Sequence, residues 1–243
     1  MINRIHLEIS VFSFEAAKKA EKAGADRIEL CAGPSEGGTT PPFSLIKAVC
    51  HKVNIPVYPI IRPRGGDFFY SDEEFEMMKE DIRSCKAAGC SGIATSVLDA
   101  GGRVDAFRLR ELVDLAAPLG VTFIRAFDLV PDPEKAIETI IQCGCERILT
   151  SGQAPKVIEA LPFLQELQKQ ATGRISIMPG SGIRAENLKE VIEKTGVSEV
   201  HASARVLVPN DNPNIDILEF GQKVDCNIEE VRKMRKTADN PDH

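Results

Sequence analysis

The sequence predicts an α/β protein, a single TIM-type (β/α)8 barrel, and three observations lead there. A glycine-centred motif recurs four times, eight short apolar runs alternate with amphipathic stretches, and 243 residues is the length one such barrel needs.

The repeat comes first. Ala23-Gly24-Ala25-Asp26-Arg27-Ile28 recurs as Ala88-Gly89-Cys90-Ser91-Gly92-Ile93, as Cys143-Gly144-Cys145-Glu146-Arg147-Ile148 and as Thr195-Gly196-Val197-Ser198-Glu199-Val200. Each copy ends a helix pattern and opens an apolar run. Glycine suits that helix end because it enters the left-handed conformation cheaply. Four further strands fall between the copies, at Ile5–Ser10, Val57–Arg62, Val121–Phe127 and Ile175–Met178. Strands alternating with helices imply parallel pairing through right-handed crossovers, and eight such units close into a barrel. Helix starts are marked by Ser71-Asp72-Glu73-Glu74, Asp132-Pro133-Glu134 and Asn227-Ile228-Glu229-Glu230. The barrel is expected over residues 1–236, with a long loop at Pro209–Pro213 and a frayed tail over residues 237–243.

Composition narrows the function. Hydrophobic residues make up 43% and charged residues 27%, which is ordinary for a globular protein. A net charge of −6 and the lack of tryptophan argue against nucleic acid as a partner. The basic cluster Arg232-Lys233-Met234-Arg235-Lys236 reads as a solvated helix face. No apolar run approaches the ~20 residues of a membrane span, and no leader pattern opens the chain, so a cytoplasmic protein is expected. Seven scattered cysteines suit reduced thiols better than a disulfide framework.

Strand parity then sorts the side chains. Leu7 and Ile9 oppose His6, Glu8 and Ser10; Ile28 and Leu30 oppose Arg27, Glu29 and Cys31; Val200 and Ala202 oppose Glu199, His201 and Ser203. The apolar sets face the helices and the mixed sets face the barrel interior. Tyr58, Ile60 and Arg62 share a face, as do Phe123, Arg125 and Phe127, with Ile124 turned toward the helices. Buried charge needs a partner, and Arg62 and Arg125 are the expected partners of Glu8 and Glu29. Two readings follow: a network of mutually satisfied charges, or a ligand site at the C-terminal strand ends, where barrel enzymes place their chemistry.

The loops favour the second. Arg62-Pro63-Arg64-Gly65-Gly66-Asp67 offers paired glycines and two arginines for an anion. Ser151-Gly152-Gln153, Gly180-Ser181-Gly182 and Ser203-Ala204-Arg205 follow the last three strands, where barrels often seat a phosphate. The candidate catalytic groups are Glu8, Glu29 and Asp128, the last as general base or arginine orienter. Candidate substrate-binding groups are Arg62, Arg64, Asp67, Arg125, Ser151, Gly180, Ser181, His201 and Arg205. Cys31, Met178 and His201 are the soft or borderline donors facing the same cavity. Cys90, Cys143 and Cys145 fall at the opposite end, and Cys50, Cys85 and Cys226 read as core filler.

These motifs together resemble the CutC copper homeostasis family. The resemblance is carried by Ala25–Cys31, Glu36–Pro41, Ile61–Phe68, Arg125-Ala126-Phe127-Asp128, Arg147–Gly152 and Met178-Pro179-Gly180. It implies a barrel, a cytoplasmic location, a homodimer or larger homo-oligomer, and Cu(I) bound at the mouth with Cys31 as ligand. The alternative reading is a barrel enzyme using acid–base chemistry on a small phosphate- or carboxylate-bearing metabolite. The chain departs from the family pattern at Ile124, where a histidine is usual, at Ser10, where a second mouth thiol is usual, and at Ser181, where the family has glycine.

Overall fold

The computed structural model describes residues 4–209 and 222–240. Strands and helices alternate: β1 (His6–Val11), α1 (Phe14–Ala23), β2 (Arg27–Leu30), α2 (Phe43–Lys52), β3 (Val57–Ile61), α3 (Asp72–Ala87), β4 (Gly92–Thr95) and α4 (Ala106–Ala116). The second half continues as β5 (Gly120–Phe123), α5 (Pro133–Cys143), β6 (Arg147–Thr150), α6 (Leu161–Ala171), β7 (Ser176–Pro179), α7 (Leu188–Thr195) and β8 (Glu199–Ala202). β1 to β8 form one parallel sheet, with β1 paired to both β2 and β8. A single bridge between Gly180 and His201 joins β7 to β8 and closes the barrel.

Local chemistry explains the element ends. Ser71 and Glu74 form the expected capping box of α3. Asp132 accepts from the Lys135 amide ahead of Pro133 at the start of α5. Gly144 closes α5 at φ 91°, a conformation that a side chain would strain. The outward strand residues Leu7, Ile9, Ile28, Leu30, Ile177 and Val200 are all fully buried against the helices. Wholly burying a Leu- or Ile-sized side chain stabilises by about 1.5–3 kcal/mol, so this shell carries much of the fold.

Three boundaries differ from the sequence reading. β5 ends at Phe123, and Arg125–Leu129 form a 3-10 turn instead of continuing the strand. The cause is Asp128, which accepts from the Thr150 hydroxyl at 2.5 Å and the Ser151 amide at 3.0 Å and so draws the chain over the end of β6. After β8 a small antiparallel pair appears, β9 (Arg205–Val208) with β10 (Lys223–Cys226). The last helix, α8 (Ile228–Asp239), runs past residue 237 because Ala238 is buried against the barrel. Of the expected loop at Pro209–Pro213 and tail at 237–243, residues 210–213 and 241–243 lie outside the described residues.

Candidate active site

The barrel interior carries a layer of paired charge below the mouth. Glu8 faces Arg27 and His201 directly, because the register sets it opposite both. The Arg27 Nε binds a Glu8 oxygen, its Nη2 reaches Glu199 Oε2 at 2.6 Å, and its plane lies 5.3 Å from the Tyr58 ring. Arg147 Nε donates to the same Glu199 oxygen at 2.6 Å. Glu8 is therefore paired with Arg27, and Glu199 with Arg27 and Arg147, whereas Glu29 meets Cys31 and His201 and no arginine; Arg62 and Arg125, the partners expected for Glu8 and Glu29, bind elsewhere. Parity put Arg27 on the same face as Glu29, and the adjacency of β1 and β2 was the signal that pairs it with Glu8.

Above this floor, Glu8, Glu29 and His201 converge, with one donor atom of each lying within 4.8 Å of the others. His201 Nδ1 is 2.7 Å from Glu8 Oε1 and its Nε2 is 3.8 Å from Glu29 Oε2. Burial alone raises the Glu8 carboxyl, but Arg27 and His201 outweigh it and hold the group down at about 2. Burial, and next the Glu8 charge, push Glu29 up against the opposing pull of His201. Burial lowers His201, yet Glu29 and Glu8 on either side raise it overall. Glu8 is thus held toward its anion, while Glu29 and His201 both keep a proton more readily than usual.

Glu29 and His201 open onto a cavity of about 420 Å³ at the C-terminal strand ends. Arg125, Lys156, Arg184 and Arg205 line its rim. Gly180 and Ser181 form one wall. An added Cβ on Gly180 would stand 2.5 Å from Leu149 Cδ1 and 3.1 Å from His201 Cβ, so only a bare backbone lets that wall approach the histidine.

The remaining candidates take other positions. Arg62 reaches the wall, but its Nη1 and Nη2 donate to the carbonyls of Glu36 (2.6 Å), Gly38 (2.8 Å) and Gly66 (2.8 Å), which fastens two mouth loops together. Its Nε is buried without a partner. Arg64 pairs with Glu74 at 2.6 Å and Asp67 at 3.1 Å outside the cavity. Arg125 stands on the rim with its side chain 45% exposed and Nε 2.8 Å from Asp128, so it is not an interior strand residue. Asp128 accepts from Arg125 Nε, the Thr150 hydroxyl and the Ser151 amide behind the wall, the geometry of an arginine orienter and not of a group facing the cavity. Ser151 is fully buried there and donates from Oγ to the Ala154 carbonyl at 2.6 Å. Ile124 lines the cavity, contrary to parity, because β5 has already ended. Sequence reasoning missed Lys156 and Arg184, which lie in loops with no periodicity to reveal their direction.

The soft donors do not gather into a copper cage. Cys31 is buried and donates its thiol to Glu29 Oε2 at 3.4 Å. Burial and then the Glu29 charge raise that thiol well above its ordinary value. Met178 Sδ accepts from Arg27 Nη2 at 3.3 Å, so a cation already faces it. The converging donors are two carboxylates and an imidazole, a set suited to harder or borderline ions, whereas Cu(I) prefers thiolate and thioether sulfur. These residues do not fit Cu(I) at the mouth.

Residues 5–206 match the CutC family model. The chain belongs to the CutC family. It is 49% identical to the human copper homeostasis protein cutC homolog over 203 residues, covering 84% of this chain and 74% of the relative. A CutC family protein of Salmonella paratyphi A is 48% identical over 204 residues, covering 84% and 82%. The crystal structure of CutC from Streptococcus agalactiae superposes with a TM-score of 0.78 at 32% identity, over 82% of this chain and 98% of that one. Among the described residues no helix is long and apolar enough to cross a membrane.

Proposed function

We propose that the mouth of this CutC-family barrel is an acid–base active site for a small metabolite carrying a carboxylate or phosphate. The observation that carries the reading is the Glu8–His201–Glu29 arrangement. A buried carboxyl with a raised pKa opens onto a cavity, and behind it an imidazole is held by a permanent carboxylate. Glu29 is the group that takes or delivers a proton. His201 donates its Nδ1 proton to Glu8, which fixes the ring and leaves Nε2 facing Glu29 and the cavity. Arg125, Lys156, Arg184 and Arg205 supply the positive rim for the anion. Ile124 narrows the choice further, since it gives the wall an apolar face beside Arg125.

The name of the human relative favours a second reading, copper handling. Its expected seat at Cys31 is disfavoured by the donor chemistry, and Cys31→Ser is expected to leave Cu(I) competition against a chelator unchanged. A cytoplasmic setting accords with seven free cysteines. A homo-oligomer belongs to the same proposal and is read by light scattering.

The test of the acid–base reading is a thermal-shift screen of phosphorylated and carboxylated metabolites. A ligand at a hundred times its Kd stabilises by about 2.7 kcal/mol, a readily visible shift. A hit is expected to be turned over by the wild type, while Glu29→Gln binds it without turnover. Failure of every anionic pool to move the melting temperature overturns the reading.

A further inference from the structure

A second group of cysteines meets far from the mouth. Cys50 lies in the last turn of α2 and Cys90 just ahead of β4, so both sit where helices hand over to strands, at the N-terminal end of the barrel. Their Sγ atoms are 3.4 Å apart. Cys90 is 4% exposed, and Cys50 is partly exposed and opens the pair to solvent. Cys85 lies fully buried near the end of α3. Cys50 and Cys85 read as core filler in the sequence and Cys90 as a residue of the end opposite the mouth; forty positions separate Cys50 from Cys90, and no spacing signal pairs them.

We propose that Cys50 and Cys90 bind a single Cu(I) ion as a two-coordinate thiolate pair, independently of the acid–base site at the mouth. The donors are sulfur only, which selects a soft ion. Among the described residues no third histidine, cysteine or carboxylate atom gathers with these two within 4.8 Å. Zinc in a structural site takes four ligands and would be left under-coordinated here. Cu(I) is satisfied by two thiolates in a linear arrangement, reached by a modest opening of the sulfur pair. The step balances as two thiols plus Cu(I) giving a bis-thiolate anion and two released protons. Copper must displace those protons, so the affinity rises with pH. The partly open Cys50 gives the ion a way in and a way out by ligand exchange.

The test is anaerobic titration of the full chain with Cu(I) against a coloured Cu(I) chelator, following near-ultraviolet thiolate-to-copper charge transfer and the sulfur coordination number by X-ray absorption. Wild type and Cys31→Ser are expected to withdraw the same single equivalent with two sulfur ligands. Cys50→Ser, at the partly exposed position, and Cys50→Ser/Cys90→Ser are expected to lose both signals while keeping wild-type circular dichroism. Copper retained by Cys50→Ser but lost in Cys31→Ser overturns the proposal in favour of the mouth. Zn(II) binding that displaces the copper, or loss of two titratable thiols with no copper retained, overturns it in favour of a zinc site or a disulfide pair.

Discussion

Replacing Arg27 with methionine removes the charge that keeps Glu8 ionised and retains most of the side-chain volume. Glu8 is 2% exposed, so its carboxylate then depends on His201 alone, with burial and Glu29 working against it. Glu199 keeps Arg147, so the damage concentrates on one carboxylate. Removing one partner of a buried ion pair costs about 3–5 kcal/mol. Arg27 and His201 together, against burial, move Glu8 from 4.5 to about 2 on folding, on the order of 3 kcal/mol at about 1.4 kcal/mol per pKa unit, and this net shift sets the pH dependence. Because the folded pKa is depressed, that contribution is present above 4.5 and is lost as the pH falls toward about 2. The stability gap between wild type and Arg27→Met should therefore be full at neutral pH and should close as the pH falls below 4.5. Urea unfolding of wild type, Arg27→Met, Glu8→Gln and the double variant at neutral and acidic pH measures it. The double variant should recover part of the loss, since no charge is left unpaired. A neutral-pH loss under about 1 kcal/mol, or a gap that ignores pH, would refute the reasoning.

Asp128→Asn should cost about 2–3 kcal/mol by denaturant titration, because a carboxylate accepting from Thr150, Ser151 and Arg125 is weakened at once. Its effect on a metabolite hit should fall on KM more than on the pH dependence of kcat, since it positions Arg125. Gly92→Ala places a Cβ 2.1 Å from the Tyr58 ring and should destabilise by about 1–3 kcal/mol or more while disturbing the stack under Arg27 and Arg147. Gly180→Ala should abolish the thermal shift of any anionic hit, because its Cβ pushes on His201 and Leu149; an unchanged shift would mean that this wall does not face the ligand.

Much of this was legible in the sequence because the barrel is periodic. The repeated glycine motif marks four strand starts, and parity alone sets Glu8, Glu29 and His201 on the inner face. Pairing was harder, since parity gives a direction and not a neighbour. Arg27 is across the ladder from Glu8, whereas Arg62, equally inward by parity, is held by loop carbonyls that carry no side-chain signal. The misplacement of Ile124 and Arg125 has one cause: the strand was expected to run to Phe127, but Asp128 finds better partners on the end of β6 and turns the chain after Phe123. Lys156, Arg184 and the β9–β10 pair follow segments without a repeat, where only the closed fold determines what meets what.

The two proposed sites also bear on how copper handling and barrel chemistry sit together in this chain. The mouth assembles oxygen and nitrogen donors around a proton, and its one thiol is held protonated by burial and an adjacent carboxylate. The opposite end assembles sulfur donors with no anion between them. A soft ion and an anionic metabolite thus have no shared donor to compete for, and each site has a variant that leaves the other's residues untouched. If Glu29→Gln removed copper binding, or Cys50→Ser removed metabolite turnover, the two ends would be coupled through the charged floor of Arg27, Arg147 and Glu199 and could not be treated as separate.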